Sequence, residues 1–137
     1  MKFEKIIPDN SQIEKLYLLL SKRKYPISHD QLPPPREHHE FVLNNPYEHW
    51  YLISRVNKLC GTVYIQSDNC VGINLINPNK DDVLKVINFV KKTHLPLPGA
   101  KSLRRKDFFV NISSSNIEML EILNELDIKE IQRSFVI

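Results

Sequence analysis

The fold is decided by residues 50–76, whose sequence is WYLISRVNKLCGTVYIQSDNCVGINLI. Three runs rich in aromatic and β-branched residues, 50–56, 60–66 and 71–76, are separated by segments centred on Asn57-Lys58 and on Ser67-Asp68-Asn69. Runs of this composition are typical of strands, and turns this short connect antiparallel neighbours. The segment therefore predicts an antiparallel β-meander.

The residues that follow the meander predict a helix and then a buried strand. Asn77-Pro78-Asn79 breaks the chain, and apolar residues recur at helical spacing over 83–90. A loop rich in proline and lysine at 93–107 leads to an apolar run at 108–112. A strand, a helix and a second strand at this spacing form a right-handed crossover, so we expect the strands at 71–76 and 108–112 to be parallel.

The flanking segments complete the predicted order of elements. The predictions are a strand at 3–7, a helix ending near 24, a loop at 27–35, a short helix at 36–44, a helix from about 117 to 126 and a final strand at 128–137. The resulting order is β-α-α-β-β-β-α-β-α-β. We therefore predict an α/β fold, with an α+β mixed sheet covered by helices on both faces, as a single domain over 1–137.

Composition and charge set broad limits on function. The chain has 137 residues, 42% of them hydrophobic, which is enough for one domain with its own core. A formal charge of +3 does not favour a nucleic-acid partner. The three glycines, Gly61, Gly72 and Gly99, are too scattered to form a Gly-rich phosphate loop.

The expected location follows from the absence of targeting signals and from the cysteines. The first ten residues lack the apolar core of a signal peptide, and no stretch is long enough to cross a bilayer. Cys60 and Cys70 lie in neighbouring predicted strands, but a turn centred on Asp68-Asn69 does not place them opposite one another. We therefore expect two reduced thiols and a cytoplasmic protein with no membrane partner.

Two further segments carry recognisable motifs. HHEFVLNNPYEHWYLI at 38–53 combines a His-x-x-Phe helix with a Pro-Tyr-x-x-Trp-Tyr-Leu-Ile strand, and NISSSN at 111–116 precedes a helix. Together with GTVYI at 61–65 and the order of elements, they resemble one branch of the GNAT superfamily of N-acetyltransferases. The resemblance covers residues 36–137, with an interruption.

The resemblance implies acyl transfer from acetyl-coenzyme A (acetyl-CoA) to a small-molecule amine, in that branch often an amino sugar or a sugar nucleotide. It implies that His38 and Tyr47 face the acceptor, and Trp50 is a further candidate for contact with the substrate. Aromatic residues in strands are more often core residues, so Trp50 has that second interpretation. Glu48 and His49 are the titratable groups that we would test as the catalytic base, or they are simply solvated.

The same resemblance implies where the cofactor would bind. The strand end at Leu75 and Asn77 would offer backbone groups to the pantetheine arm, because a peptide-like ligand can add to a sheet edge. Asn116 would hydrogen-bond coenzyme A, and it is equally a candidate cap for the helix that follows. These two roles of Asn116 are compatible.

Several residues depart from the family pattern. The pyrophosphate loop of the family is glycine-rich, whereas this chain has Asn77-Pro78-Asn79 and then Asp81 and Asp82, whose charges oppose a phosphate. Leu123 stands where many members of the family carry a tyrosine general acid. Two hypotheses follow: a divergent GNAT-like N-acetyltransferase, or an inactive GNAT-fold binding or assembly module that does not use acetyl-CoA.

The remaining candidate sites are weaker. The histidines near residue 38 lack the spacing of a metal site, so we predict no metal. The basic residues Lys101, Arg104, Arg105 and Lys106 are typical of a solvated loop, although contact with ligand phosphates or nucleic acid is an alternative. The sequence is compatible with a homo-oligomer but does not predict one.

Overall fold

The computed structural model describes residues 1–25 and 31–137. In that part of the chain, the strands are β1 (Lys2–Lys5), β2 (His49–Arg55), β3 (Lys58–Ile65), β4 (Cys70–Leu75) and β5 (Phe109–Val110). The helices are α1 (Asn10–Ser21), α2 (Pro35–Leu43), α3 (Lys80–Thr93) and α4 (Ile117–Glu125). The predicted loop at 27–35 lies partly outside the described residues.

The five strands form one mixed sheet in the order β1-β2-β3-β4-β5. The first four are antiparallel neighbours, which confirms the predicted meander. β4 and β5 are parallel, as the crossover predicts, but they pair through only two positions, Cys70 with Phe109 and Val71 with Val110. Beyond Val71, the edge of β4 is therefore not covered by β5.

Helices cover both faces of the sheet because side chains alternate along β2. Trp50 and Leu52 pack with α1 and α2, where Leu16 is among the buried partners. Tyr51 and Ile53 turn to the other face and pack with α3. α4 joins α3 on that second face in a smaller cluster built around Val83, Met119 and Ile122.

The long loop between α3 and β5 is held in part by the side chain of Asn69. It is 1% exposed and has a backbone φ of 71°, in the left-handed region that asparagine tolerates. Its Nδ2 donates to the carbonyls of Leu97 and Arg105 at 2.8 and 2.7 Å, and its Oδ1 accepts from Leu97 N at 2.7 Å. The loop is thereby held against the β3–β4 turn.

Three predictions about the elements need comment. The final strand predicted at 128–137 is wrong: these residues are in no strand, and Phe135, Val136 and Ile137 are exposed. β5 has two residues where the apolar run predicted five. Cys60 and Cys70 are both buried and free, at opposite ends of the β3–β4 ladder, as expected.

Within the described ranges, no helix has the length and hydropathy to cross a membrane.

Candidate functional site

A cavity of about 680 Å³ lies on the α1 and α2 face of the sheet and reaches the open edge of β4. Its walls come from the end of α1, from α2, from β2 to β4 and from the start of α4. This volume is typical of sites that hold small molecules. The cavity therefore lies beside α1 and α2, at the edge of β4 that β5 leaves uncovered.

The backbone of β4 contributes polar groups to this cavity. Cys70 O accepts from Gln66 N at 2.9 Å, and Ile76 N donates to Cys60 O at 2.8 Å. In an antiparallel ladder these groups alternate in direction, so Ile73 and Leu75 turn their N–H and C=O away from β3. They point to the side from which β5 is missing, where a ligand can pair with them.

An aromatic cluster forms the wall above β4. The rings of Tyr47 and Tyr64 are stacked at 4.1 Å, and Trp50 meets Tyr47 edge to face at 5.0 Å. Trp50 Nε1 donates to Thr62 Oγ1 at 2.7 Å, which satisfies its buried N–H. Burial raises the pKa of Tyr47 to about 12, so its hydroxyl stays protonated at neutral pH. The wall is closely packed, and Tyr47 gives it a neutral hydroxyl.

Gly72 makes this wall possible, since the Tyr64 ring lies directly over it. A Cβ at position 72 would fall under 3.0 Å from three carbons of that ring. The absence of a side chain on β4 therefore decides where Tyr64 lies.

His38 contributes an imidazole to the cavity, and it is 6% exposed. Its Nε2 lies 3.2 Å from the carbonyl of Ile13, which can only accept, so Nε2 carries the proton and Nδ1 carries the lone pair. The ring also packs against Tyr17 at 5.1 Å. Burial is the main cause that lowers the pKa of His38, so the ring is neutral at pH 7.

Arg23, which the sequence did not single out, lies just beyond α1 and lines the cavity. Its Nη2 donates to Asn74 Oδ1 at 2.8 Å, while its solvent-inaccessible Nε has no acceptor among the described residues. Next to it, Lys24 Nζ donates to Asn77 Oδ1 at 3.2 Å. This end of the cavity is therefore positively charged.

The structure brings six of the eight predicted site residues to the cavity. These are His38, Tyr47, Trp50, Leu75, Asn77 and Asn116. Asn116 also caps α4, since its Oδ1 accepts from Met119 N at 3.1 Å.

The two predicted base candidates are not among the residues that line the cavity. Glu48 is exposed, and His49 lies on the other face of the sheet. There His49 stacks on His94 with ring centroids 3.9 Å apart, and His94 Nε2 lies 2.9 Å from the Tyr51 hydroxyl. The alternation of β2 separates His49 from Trp50, so the same strand cannot present both to one ligand.

The start of α3 differs from a phosphate-binding helix start. Asn79 caps the helix by accepting from Asp82 N at 2.9 Å. The Asp82 carboxylate is buried and paired with Arg55, so its charge is neutralised, and only Asp81 remains exposed there. Pro78 contributes no N–H. Of the two aspartates, only Asp81 is therefore left to repel a phosphate. Few backbone N–H groups are available at this helix start to bind one.

Other candidate features lie elsewhere. Leu123 packs with the α3–α4 cluster. Arg104 donates from Nε to Ser67 O at 2.8 Å and from Nη1 to Pro98 O at 2.9 Å, so this part of the basic loop is pinned. Among residues 1–25 and 31–137, no group of three or more His, Cys, Asp or Glu is placed to hold a metal ion.

Comparison with solved structures places this architecture among known folds. The chain is similar to a structure described as a possible acetyltransferase from Clostridium difficile 630, with a TM-score of 0.59 and 10% identity. The match covers 98% of this chain and 94% of that one. No family model and no curated protein matches the sequence. At this identity the likeness shows the fold: a mixed α+β, acetyltransferase-like fold with a five-stranded sheet.

Proposed function

We propose that this protein is a divergent GNAT-like N-acetyltransferase, which transfers the acetyl group of acetyl-CoA to a small-molecule amine. The observation that carries the proposal is the open edge of β4, where Ile73 and Leu75 turn backbone groups into the cavity. The amide-containing pantetheine arm of acetyl-CoA can pair with such an edge as a short strand would. Asn77 and Asn116 lie on the same cavity.

The reaction needs positioning and one proton acceptor. The amine nitrogen attacks the thioester carbonyl, a C–N bond forms, the C–S bond breaks, and the electron pair leaves on the sulfur. The amine proton passes to a base, and a proton returns to the thiolate. His38 Nδ1 suits the role of base because the imidazole is neutral and its other nitrogen is fixed by Ile13 O.

The binding-module alternative has less support. The short loop before α3 weakens the hold on the pyrophosphate, but it leaves the β4 edge and the cavity intact. We therefore expect an enzyme that works at high acetyl-CoA concentration.

The test is a transfer assay at millimolar acetyl-CoA with a panel of amino sugars and amino acids. Acetylated amine and released coenzyme A are both measured, the first by mass spectrometry. We expect at least one acetylated product. If none of the amines is acetylated while the protein remains folded, the transferase proposal is wrong.

A pair of neighbouring histidines supplies the matched control for the base. His38→Gln should lower the turnover at saturating amine by roughly a hundredfold or more. His39→Gln changes an exposed ring that does not line the cavity, and should leave turnover unchanged. Equal turnover in both variants would show that His38 is not the base, without affecting the transferase proposal.

A further inference from the structure

The positive end of the cavity is built into the structure. Arg23 is partly buried and is held in place by Asn74, a residue near the end of β4. Its guanidinium also lies close to the Tyr64 hydroxyl: burial raises the pKa of Tyr64, and the charge of Arg23 opposes that rise. A side chain held on a strand and an aromatic wall presents its charge at a defined point.

The charge of Arg23 is not matched within the described part of the chain. No carboxylate lies within 4.0 Å of it there, whereas Arg55 and Arg133 each have one. Among residues 1–25 and 31–137, its buried Nε has no acceptor. The other N–H groups of the guanidinium can donate to an acceptor that a ligand supplies, and hydrogen bonds from a charged donor to an anion are stronger than those between neutral groups.

The cavity also carries negative charge at other points. Glu37, from the first turn of α2, and Glu118, from the first turn of α4, both line it. A ligand that carries both an ammonium group and an anionic group would meet an opposite charge for each. A neutral or purely cationic amine would leave Arg23 without a counter-charge.

We propose that Arg23 binds an anionic group, a carboxylate or a phosphate, on the amine that accepts the acetyl group. That this ligand is the acetyl acceptor rests on the proposed function. The binding of its anionic group by Arg23 is a property of the cavity and does not depend on acetyl transfer. The acceptor class is then an amino acid or a phosphorylated amino sugar, in which the anion anchors the molecule and the amine remains free to react.

The test measures binding in the absence of acetyl-CoA. Trp50 is the sole tryptophan of the chain and lines the cavity, so its fluorescence reports occupancy. Two matched pairs of probes separate the sources of the anion: glucosamine 6-phosphate against glucosamine, and phenylalanine against phenethylamine. Each pair is titrated at constant ionic strength, since screening weakens charge contacts.

Three variants assign the effect to one side chain. Arg23→Gln keeps a donor for Asn74 but removes the charge. Lys15→Gln makes the same change of charge on an exposed residue of α1 that does not line the cavity. Arg23→Lys keeps the charge but has fewer N–H donors. If Arg23→Gln does not fold, the binding comparison is made with Arg23→Lys. Thermal unfolding checks that each variant is native.

In at least one pair, we expect the member that carries the anionic group to bind the wild type more tightly than the member that lacks it. Arg23→Gln should weaken that binding by roughly tenfold to a hundredfold, with a smaller loss in Arg23→Lys and none in Lys15→Gln. If neither anionic member is preferred, or if Arg23→Gln binds it as the wild type does, the inference is wrong. Binding that depends on Arg23 without any transfer would refute only the proposed function.

Discussion

Replacing Gly72 with alanine should destabilise the protein through a single side chain, Tyr64. The new Cβ would lie under 3.0 Å from three carbons of the Tyr64 ring, which is stacked on Tyr47 and cannot retreat without opening the aromatic wall. Overpacking of this kind costs about 2 kcal/mol. For a chain of this length, that cost corresponds to a fall in Tm of roughly 8 °C.

A double-mutant cycle measured by thermal and chemical denaturation isolates this contact. With Tyr64→Ala already present, Gly72→Ala should cost about 2 kcal/mol less than it does in the wild type. Gly61→Ala is the control, because the nearest atom to its Cβ is the backbone oxygen of Asn74, which Tyr64→Ala does not remove. An equal cost of Gly72→Ala in both backgrounds would refute the reasoning.

Three further predictions concern the cofactor, a buried ion pair and pH. Acetyl-CoA should bind with a Kd that is roughly millimolar, because few N–H donors are left for its pyrophosphate; calorimetry showing micromolar binding would contradict this. Asp82→Asn should lower the free energy of unfolding by about 2 kcal/mol because it leaves Arg55 without its partner, and the exposed Asp81→Asn should change far less. Burial, followed by the charge of His49, lowers the pKa of His94 below 6.5, so the unfolded chain takes up the proton more readily. Stability should therefore fall as the pH drops through 6.5, and His94→Gln should flatten that slope in denaturant titrations.

The sequence was sufficient for elements whose pattern is local. The meander and the crossover follow from alternation, short turns and helical spacing, and the structure has both. The strand predicted at 128–137 is absent because a strand-like sequence shows only that a segment can be a strand. Pairing also needs a partner edge, and pattern alone does not show whether one is within reach.

The candidate site was predictable where a motif marked it. Six of the eight predicted residues line one cavity because their segments converge on β4. His49 is adjacent to Trp50 in sequence, but alternation along β2 sends it to the opposite face. The strand predicted at 50–56 did not include His49, so that prediction alone did not show which face His49 occupies. Arg23 carried no comparable signal, since basic residues at the end of a helix are usually solvated.

Chemical ageing offers one more consequence of the arrangement at Asn69. Deamidation would convert its amide into a carboxylate and replace the two N–H donations to Leu97 and Arg105 with an oxygen that faces two carbonyl oxygens. Two hydrogen bonds that hold the long loop would then be replaced by repulsion between oxygen atoms. The folded state protects against this reaction because the side chain is buried. Deamidation of Asn69 should therefore occur mainly while the chain is unfolded. After refolding, the damage should appear as lost order in the loop between α3 and β5, which is distant from Asn69 in sequence.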